Sequence, residues 1–586
     1  MTTSEAAGFP DVEALTRMAN AMLAQYESDS GSHSPQQQVQ GSAPVPGLAG
    51  HVPAASSSPA SAGAVAPPDL QQHAQFGAAL PSHPSNPDPS GPAPTGIVPN
   101  LVAPESLGLP GDATLRSFLG ATLSAPPQLP SESAGPTGPA YYFLDGAGGP
   151  GTVPGQVVEP ARPSPGSVSA PFDLNAVRAD FPILNQSVNG KPLVWLDNAA
   201  TTQKPRQVIE RIKEFYEREN SIVHRAAHEL AARSTDAYEA ARKKVQAFLG
   251  ASSPNEIVWA RGATEAINLV AQSWGRANIA AGDEIVVSLL EHHANIVPWQ
   301  MLAAEKGAVL RVIPVNDAGE LLLDEYGKLL GPKTKIVSFT QVSNALGTVV
   351  PVRQISDMAH AAGALVLVDG AQAVSHMPVD VRALGADWYV FSGHKVFGPT
   401  GIGVLYGREE LLNAMPPWQG GGNMIQDVTF EKTVYHKAPG RFEAGTGNIA
   451  DAVGLGAAID YVTRLGMPNI AAWEHQLLHY GTHLLQGIPG LRLVGTAAEK
   501  AGVLSFVLEG YKTEEIGSLL NKEGIAVRSG HHCAQPILRR LGLEATVRPS
   551  LAFYNTCAEL DALAEAVRKL VYRKGPRKAV VADWPL

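Results

Sequence analysis

Residues 364–372 read ALVLVDGAQ and residues 387–401 read DWYVFSGHKVFGPTG, and these two stretches indicate the fold class. Each begins as a short apolar run, which is typical of a strand buried on both faces of a sheet. Polar residues follow directly, beginning at Asp369 in the first stretch and at Ser392 in the second. Because ligands bind beyond the carboxyl ends of parallel strands, we expect these polar side chains to line one site.

The same alternation of strand and helix patterns extends on both sides of these stretches. The apolar runs EIVWA, DEIVVSLL and KIVSFT each precede a helical pattern, as in ATEAINLVAQSW and ISDMAHAAG. This order predicts stacked βαβ units, and therefore an α/β fold with a mainly parallel sheet covered by helices. Beyond residue 455 the pattern changes, since the helical segments AAWEHQLLHYGTHLLQ and AELDALAEAVRKLVYR flank short strands such as GVLSFVLE. That region predicts a second, smaller α+β domain.

The polar residues after the two strands form a set that suits pyridoxal phosphate. It comprises the Asp369 carboxylate, the Ser392 hydroxyl, the His394 imidazole and the Lys395 amine, with Gln372 beside the first strand. An amine holds this cofactor covalently, and a carboxylate keeps its pyridine nitrogen protonated so that the ring accepts electrons. A single lysine after a strand is usually only solvated, so the prediction rests on the combination.

A phosphate group needs a binding site of its own. In EIVWARGATEAINLVA, a strand leads through Gly262-Ala263-Thr264 into a helix, so that backbone N–H groups and the Thr264 hydroxyl face an anion. In isolation this segment is an ordinary helix start. Beside a lysine and an aspartate that suit pyridoxal phosphate, phosphate binding becomes the better interpretation.

The composition of the chain changes near residue 171. Residues 1–171 contain 28 of the 47 prolines and no lysine, and they carry a formal charge of −9 out of −10 for the whole chain. Segments such as PSHPSNPDPSGPAPTG bury too little apolar surface to offset the entropy of ordering, which predicts a disordered tail. Because the remainder is almost neutral, nothing in the charge predicts nucleic-acid binding.

Other global features favour a soluble protein of a reducing cytoplasm. The chain has two cysteines, too few for a disulfide framework. The N-terminal residues MTTSEAAGFPDVEAL lack a basic and an apolar region, so we expect no secretory signal. No apolar run approaches the roughly 20 residues that a membrane-spanning helix needs.

Three apolar segments interrupt the tail: DVEALTRMANAMLAQY, ESLGLPGDATLRSFLGATL and YYFL at residues 141–144. In the first, apolar residues recur at spacings of three and four, which is typical of an amphipathic helix. The segments are either residual hydrophobicity or short motifs that become ordered on a partner's surface, and we favour docking motifs.

Eight segments, in order along the chain, resemble the successive motifs of the SufS-type, group II cysteine desulfurases of the class-V aminotransferase family. They are WLDNAATTQKP, VHRAAHELA, EHHANIVPWQ, VSNALGT, SGHKVFGPTG, RFEAGTGN, RSGHHCAQP and VRPSLAFYN. The resemblance spans about residues 172–575 and does not cover the tail. It implies a fold-type I enzyme with pyridoxal 5'-phosphate as cofactor, a seven-stranded sheet in its large domain, and a homodimer with its sites at the subunit interface.

The predicted domain organisation combines the composition with this resemblance. We expect a disordered tail with docking motifs at 1–171, a cofactor-binding large domain at 172–455, and a small C-terminal domain at 456–586. The large domain's N-terminal segment is expected to contribute to the small domain, which carries the catalytic cysteine loop.

The resemblance also implies roles for single residues. Lys395 would hold the cofactor, His292 would stack on its ring and assist proton transfer, Asp369 would pair with the ring nitrogen, and Gln372 would bind the phenolic oxygen. The phosphate would be bound by Thr264, Ser392 and His394, with Thr446 of the partner subunit. The substrate would be bound by Arg548 and Asn344 at its carboxylate, and by Arg528, His224 and Arg225 nearby.

Cys533 distinguishes this chemistry from other reactions of the cofactor. It lies in RSGHHCAQP, where Gly530 and Pro536 predict a loop. A thiolate there can attack the substrate's sulfur and leave a persulfide and alanine, and a neighbouring cation would favour the thiolate. The plainer interpretation, a small buried hydrophobic residue, suits Cys557 better. No second cysteine stands at ligand spacing from His531 and His532, so we expect no zinc site.

Several alternatives remain at the level of sequence. The first hypothesis is desulfuration of L-cysteine, with transfer of sulfur to an acceptor protein for iron–sulfur cluster assembly. Selenocysteine lyase activity is a close rival, and an aminotransferase is a more distant one that Cys533 argues against. The tail resembles the extensions of desulfurases that are cargo of encapsulin-type protein shells, which would place the enzyme inside such a shell. It is alternatively a plain solubilising linker.

Overall fold

A computed structural model describes residues 170–224 and 227–573 of the chain. All of them belong to one compact unit, Thr152–Leu586. The predicted tail lies outside the described residues except for its last two positions, and so do its three docking segments. Fourteen α-helices occur in the described ranges: α1 Leu174–Ala179, α2 Arg206–Arg218, α3 Glu229–Phe248, α4 Ala263–Val270, α5 Arg276–Asn278, α6 Val297–Lys306, α7 Leu323–Leu329, α8 Val352–Ala361, α9 Glu409–Ala414, α10 Ile449–Leu465, α11 Met467–Gln486, α12 Thr513–Lys522, α13 Gln535–Arg540 and α14 Cys557–Arg573.

Seven strands form the large sheet at the centre of the fold. They are β4 Ile257–Ala260, β5 Glu284–Ser288, β6 Val309–Ile313, β7 Thr334–Thr340, β8 Leu365–Asp369, β9 Trp388–Ser392 and β10 Gly403–Gly407, and they follow three short strands, β1 Ser187–Val188, β2 Lys191–Pro192 and β3 Val194–Trp195. The order across the sheet is β4-β10-β9-β8-β7-β5-β6. Strand β10 runs antiparallel to both of its neighbours, and the other pairs are parallel. The prediction of a mainly parallel seven-stranded sheet is confirmed.

The central strands are buried on both faces because helices cover both sides of the sheet. In β8, Val366 and Val368 belong to one hydrophobic cluster, while Leu367 between them belongs to the other. This alternation explains why the strand is a continuous apolar run in the sequence. The helices α2, α3 and α10 pack together on the face of the larger cluster, whereas α4 and α6 pack on the other.

A smaller antiparallel sheet follows in the C-terminal part. A hairpin of β11 Ile425–Val428 and β12 Thr433–Tyr435 precedes this sheet. The sheet consists of four strands in the order β13-β14-β17-β16: β13 Leu491–Leu493, β14 Phe506–Leu508, β16 Arg528–Gly530 and β17 Thr546–Arg548. Strand β15, Ile525–Ala526, pairs in parallel with β3 near the start of the described chain. The early segment therefore contacts the C-terminal part, and the division at residue 455 stays a prediction.

A helix must be both long and apolar to span the hydrocarbon core of a lipid bilayer, and the described helices, in residues 170–224 and 227–573, do not meet this requirement.

Candidate active site

Two neighbouring strand ends bring Asp369 and Lys395 together. Asp369 is the last residue of β8, and it pairs across the parallel ladder with Val390 of β9. Beyond β9, a turn of 3-10 helix at Gly393–Lys395 carries the lysine. Burial lowers the pKa of Lys395, and the charge of Asp369 opposes that shift. The two strands quoted first therefore place an amine and a carboxylate in one site.

The Asp369 carboxylate is buried, with 4% of the residue exposed. Its Oδ1 accepts a hydrogen bond of 2.9 Å from the backbone N–H of Ala371. Burial raises the pKa of this carboxyl, while that hydrogen bond and the charge of Lys395 lower it. In the same turn, Gln372 Nε2 donates to the carbonyl of Ala199 at 2.6 Å. A cationic partner such as a protonated pyridine nitrogen would stabilise the buried carboxylate.

His292 lies in the loop that follows β5. Its Nδ1 accepts a hydrogen bond of 3.1 Å from the N–H of Ala294, which fixes the orientation of the ring. Burial lowers the pKa of His292 to about 3, and the charges of Lys395 and Arg548 act in the same direction. The imidazole is therefore neutral at physiological pH, as stacking on a cationic ring requires.

The predicted phosphate site lies where β4, β9 and β10 converge. Ser392 Oγ accepts a hydrogen bond of 2.9 Å from the N–H of Ala263, at the start of α4. A Cβ atom added at Gly403 would stand 2.4 Å from the Cα of Gly262, so glycine is required for this close approach of the chains. Thr264, in the first turn of α4, is exposed. Backbone N–H groups at this helix start are available to an anion.

Lys204 is part of the site and was missed from the sequence. Its Nζ donates to Thr201 Oγ1 at 3.3 Å and to the carbonyl of His394 at 3.1 Å, and it also contacts the carbonyl of Thr202. Burial lowers the pKa of Lys204 to about 8. Burial, together with the charges of Lys395 and Lys204, lowers the pKa of His394 to about 4. The lysine therefore anchors the turn that carries Lys395.

Two arginines converge on one carboxylate at the other end of the site. Arg548, at the end of β17, is 2% exposed, and its guanidinium donates to Asp197 Oδ1 at 3.3 Å and to the carbonyl of Asn344 at 2.9 Å. Arg528 donates to Asp197 Oδ2 through Nε and a terminal nitrogen, both at 3.2 Å. Burial lowers the pKa of Arg548 to about 10, so it remains a cation.

Unpaired atoms also mark this end of the site. Arg548 Nε and Asn344 Oδ1 are buried without a hydrogen-bond partner in the described part of the chain. The Nδ2 of Asn344 donates to the carbonyl of His532 at 2.7 Å. A buried donor and a buried acceptor without partners are costly unless a ligand satisfies them.

Cys533 lies in a strained turn directly after β16. His532 and Cys533 both have φ of 53°, in the left-handed region that residues with a Cβ rarely adopt. The turn is fixed by two hydrogen bonds: the Cys533 N–H donates to His531 Nδ1 at 3.0 Å, and its carbonyl accepts from the His293 N–H at 2.8 Å. Cys533 is partly exposed, and its charge, when ionised, acts on Lys395 and Arg548.

Some predicted residues are not joined to this cluster. His224 Nε2 lies 3.2 Å from a carboxylate oxygen of Glu239, and 40% of its side chain is exposed. Thr446 is exposed in the loop between the hairpin and α10. Arg225 lies outside the described residues. Cys557, at the start of α14, packs against the core, and burial raises the pKa of its thiol. The packing of Cys557 against the core agrees with the expectation that this cysteine is structural.

Asp197 and Glu291 are further residues that the sequence analysis missed. Both follow apolar runs, as Asp369 does, and that pattern is the signal that could have identified them. Glu291 is fully buried beside His292, and its carboxylate accepts from Asn295 Nδ2 at 2.6 Å, from the Thr340 N–H at 3.0 Å and from the Ser288 hydroxyl. Burial raises the pKa of Glu291 to about 8.

The observed residues fit pyridoxal phosphate in three respects. An amine and a buried carboxylate lie at adjacent strand ends, a neutral imidazole flanks them, and a helix start offers N–H groups beside Ser392. Together with the seven-stranded sheet, these features define a fold-type I enzyme that uses this cofactor. The family profile described as Aminotransferase class-V matches residues 194–563. The chain therefore belongs to the class-V aminotransferase family, and pyridoxal phosphate is its cofactor.

The chain is also similar to curated proteins and to a solved structure that are named cysteine desulfurases. A cysteine desulfurase of Synechococcus elongatus is 70% identical over 399 residues, which cover 68% of this chain and 64% of the relative. One from Klebsiella pneumoniae is 53% identical over 400 residues, covering 68% of this chain and 98% of the relative. The crystal structure of the Escherichia coli cysteine desulfurase CsdA, in an S-sulfonic acid form, matches with a TM-score of 0.64 and 42% identity over 68% of this chain and 98% of that one.

The lengths of these matches differ among the relatives. The match with the Synechococcus protein and those with two mycobacterial desulfurases, each 63% identical to this chain, cover less than two thirds of those relatives' own length. In this chain, the family profile begins at residue 194.

Proposed function

We propose that this protein is a cysteine desulfurase that converts L-cysteine to L-alanine and retains the sulfur as a persulfide on Cys533. The observation that supports it most directly is the position of Cys533, a partly exposed thiol in a turn fixed by His293 and His531, close enough to Lys395 and Arg548 for their charges to interact. Transamination needs no thiol at this position. The relatives described above are cysteine desulfurases, which agrees with desulfuration.

The substrate would bind at the unpaired atoms described above. The Arg548 Nε–H can donate to the substrate carboxylate, and the Asn344 Oδ1 can accept from a donor such as the ammonium group. Arg528, held beside Arg548 by Asp197, adds positive charge at the entrance. The carboxylate would thus be bound at one end of the site, with the thiol side chain free to face Cys533.

Pyridoxal phosphate, when bound, supplies an electron sink that makes the substrate's Cα–H acidic and its Cβ–S bond cleavable. The Lys395 amine would be placed to move a proton at the substrate's Cα, and burial favours its neutral, basic form. The Cys533 thiolate attacks the substrate sulfur, forming an S–S bond as the Cβ–S bond breaks. The electron pair of that bond remains on carbon, which takes up a proton and becomes the methyl group of alanine.

The first experiment compares wild type with Cys533→Ala for alanine and sulfide formation from L-cysteine under reducing conditions. Wild type is expected to form both products, and the variant neither. The absorbance of the bound cofactor must be equal in the two proteins, so that cofactor loss is not mistaken for catalytic loss. Cys557→Ala is the matched control and should keep full activity, since that thiol packs against the core. Wild-type activity in Cys533→Ala would exclude the proposed nucleophile.

Two rival reactions are separated by their products and substrates. Selenocysteine lyase activity would show as faster turnover of L-selenocysteine than of L-cysteine, with Cys533→Ala still active on the selenium substrate. An aminotransferase would form a keto acid and the pyridoxamine form of the cofactor rather than alanine. Because Cys533 lies within reach of the charges of Lys395 and Arg548, we favour desulfuration over both.

We assign the enzyme to the SufS-type group II and to a homodimeric, cytoplasmic form that passes sulfur to an acceptor protein. The exposure of Thr446, on a loop tethered by Glu443, supports the homodimer alone, since an exposed hydroxyl there is free to reach a cofactor phosphate in the partner. Mixing inactive Lys395→Ala chains with inactive Thr446→Ala chains tests this arrangement. If the loop acts across the interface, mixed dimers regain activity in one of their two sites; no recovery contradicts it.

We also propose that residues 1–171 target the enzyme to the interior of an encapsulin-type shell. The support is the position of the family match, which leaves these residues outside the catalytic part and available for another role. Co-expression with a shell protein, with and without residues 1–171, tests the idea. Packaging of the full chain alone supports it. Equal packaging of both forms contradicts it and favours a plain linker.

A further inference from the structure

Three histidines recur at every fourth residue along α11: His475, His479 and His483. Residues four apart lie on the same face of a helix. The opposite face of α11 is buried and carries Leu477 and Leu478, whereas all three histidines are exposed. The proposed desulfuration uses none of them.

The first two rings of this row converge. The Nε2 atoms of His475 and His479 stand 2.8 Å apart, and the ring planes are inclined by 84° with their centroids 4.3 Å apart. Two imidazole nitrogens that bind one zinc ion, at 2.0–2.1 Å each, stand about 3.3 Å apart in tetrahedral geometry. At 2.8 Å the two rings share a hydrogen bond. An ion would replace the proton between them, and the nitrogens would have to separate by about half an ångström.

Negative charge lies close to the pair, because the carboxylate of Glu499 acts electrostatically on His475. A divalent cation bound between the two rings would gain from that charge.

We propose that His475 and His479 form a binding site for a divalent transition-metal ion. Imidazole nitrogen suits nickel, copper and zinc, whereas magnesium and calcium prefer oxygen ligands. Residues 170–224 and 227–573 contain no group of three or more His, Cys, Asp or Glu side chains arranged to hold a metal. The site therefore has two protein ligands with water completing the coordination, and it is more open than a structural zinc site.

Titration of Ni²⁺ into the full-length holoenzyme, followed by calorimetry, tests this site. All proteins carry Cys533→Ser, because the partly exposed thiol is itself a metal ligand. We expect His475→Gln and His479→Gln each to weaken the binding of one ion per chain by about tenfold or more. Glutamine preserves the helix, since its helix propensity is high.

His483→Gln is the matched control. His483 is also exposed and lies one turn further along, and the described contacts of α11 do not join it to His479. Its substitution should leave the affinity unchanged. Equal affinity in all three variants, or a loss in His483→Gln without a loss in His475→Gln, would overturn the proposal. Equal melting temperatures without nickel show that each variant is folded.

Crystals of the same protein soaked in Ni²⁺ give an independent, position-specific measurement. An anomalous peak between the Nε2 atoms of His475 and His479 is the expected result. The proposal would be contradicted if nickel bound at other histidines of the chain and no anomalous peak lay between these two rings. Neither measurement depends on catalysis. The metal-site proposal can therefore be wrong while the desulfurase proposal is correct, and the desulfurase proposal can be wrong while the metal-site proposal is correct.

Discussion

The carboxylate of Asp197 lies between Arg528 and Arg548 and binds one arginine with each oxygen, Oδ2 at 3.2 Å and Oδ1 at 3.3 Å. Asp197 thereby links two strands of the small sheet to the segment after β3. The same segment contacts the Lys395 turn through Thr201 and Lys204. One stretch of eight residues, 197–204, therefore orients both the arginines and the lysine-bearing turn.

Asp197→Asn should weaken substrate binding more than it slows the chemical step. The substitution removes the charge that holds both guanidinium groups, so Arg548 loses its fixed orientation. We expect the KM for L-cysteine to rise by about tenfold, equivalent to about 1.4 kcal/mol, with a smaller change in kcat. Steady-state kinetics at equal cofactor occupancy measure this split. A fall in kcat with an unchanged KM would show that Asp197 acts elsewhere.

The same variant should also be less stable, because it leaves a buried guanidinium without its counter-ion. Breaking a buried ion pair costs about 3–5 kcal/mol, and asparagine, which still accepts a hydrogen bond, should cost somewhat less. Asp317→Asn is the control, since Asp317 pairs with Arg540 at 3.0 Å but its side chain is 93% exposed. An exposed pair contributes about 0–1 kcal/mol. Thermal melting measures both losses of stability, and Asp197→Asn should melt well below Asp317→Asn.

Glu291→Gln tests whether a buried carboxylic acid lies beneath the site. Burial raises the pKa of Glu291 from 4.5 to about 8, so at pH 7 it is mostly protonated and an amide is a close replacement. A folded-state pKa above the unfolded one gives stability that is fully present below pH 4.5 and is lost as pH rises through 8. Wild type should therefore lose thermal stability from pH 6 to 8.5 relative to Glu291→Gln.

The matched comparison is Glu291→Ala. This variant leaves Asn295 Nδ2 and the Thr340 N–H, both buried, without their acceptor. Each unsatisfied group costs about 1–3 kcal/mol, so the alanine variant should melt well below the glutamine variant at every pH. Equal melting temperatures of the two variants, or an unchanged pH dependence in Glu291→Gln, would contradict a neutral Glu291.

The sequence predicted those features that depend on local pattern. The apolar runs ending at Asp369 and Ser392 correctly indicated buried parallel strands, because a strand covered on both faces has no polar alternation. The antiparallel direction of β10 was not predicted, since direction depends on the connection rather than on composition. The pairing of Asp197 with its two arginines was not predicted, because the arginines stand more than 300 positions away and no local pattern reveals such a pairing.

Glu443→Gln should loosen the loop that presents Thr446. Arg242, 2% exposed, pairs with the Glu443 carboxylate through contacts of 2.7 Å and 3.0 Å, and the same carboxylate accepts from the Trp259 N–H. Removing the charge leaves Arg242 buried with a weaker partner, which we expect to cost about 3 kcal/mol. Thermal melting should fall accordingly. If Thr446 binds phosphate, the affinity for the cofactor should fall too.

A surface pair provides the control for Glu443. Glu229 and Arg233 form an ion pair of 2.9 Å on α3, but both side chains are more than half exposed. Glu229→Gln should therefore change the stability by less than about 1 kcal/mol. If both variants melt alike, the buried pair is not a stabilising anchor. If Glu443→Gln loses stability yet keeps full cofactor affinity, the loop does not depend on Arg242.

Lys204→Met tests the anchor of the Lys395 turn through its dependence on pH. The pKa of Lys204 falls from 10.5 to about 8 on burial, so between these values the folded protein binds fewer protons than the unfolded chain. Stability linked to Lys204 is therefore lost as pH falls through 8 and gained as pH rises towards 10.5. The melting temperature of wild type should rise over this range relative to Lys204→Met.

The control is Lys335→Met, at a more exposed lysine paired with Asp283, which should follow the wild-type pH dependence. Lys204→Met also loses the contact with the carbonyl of His394, so this variant should retain the cofactor less tightly. A Lys204→Met protein with wild-type pH dependence and cofactor retention would show that the turn is held by Thr201 and Thr202 alone.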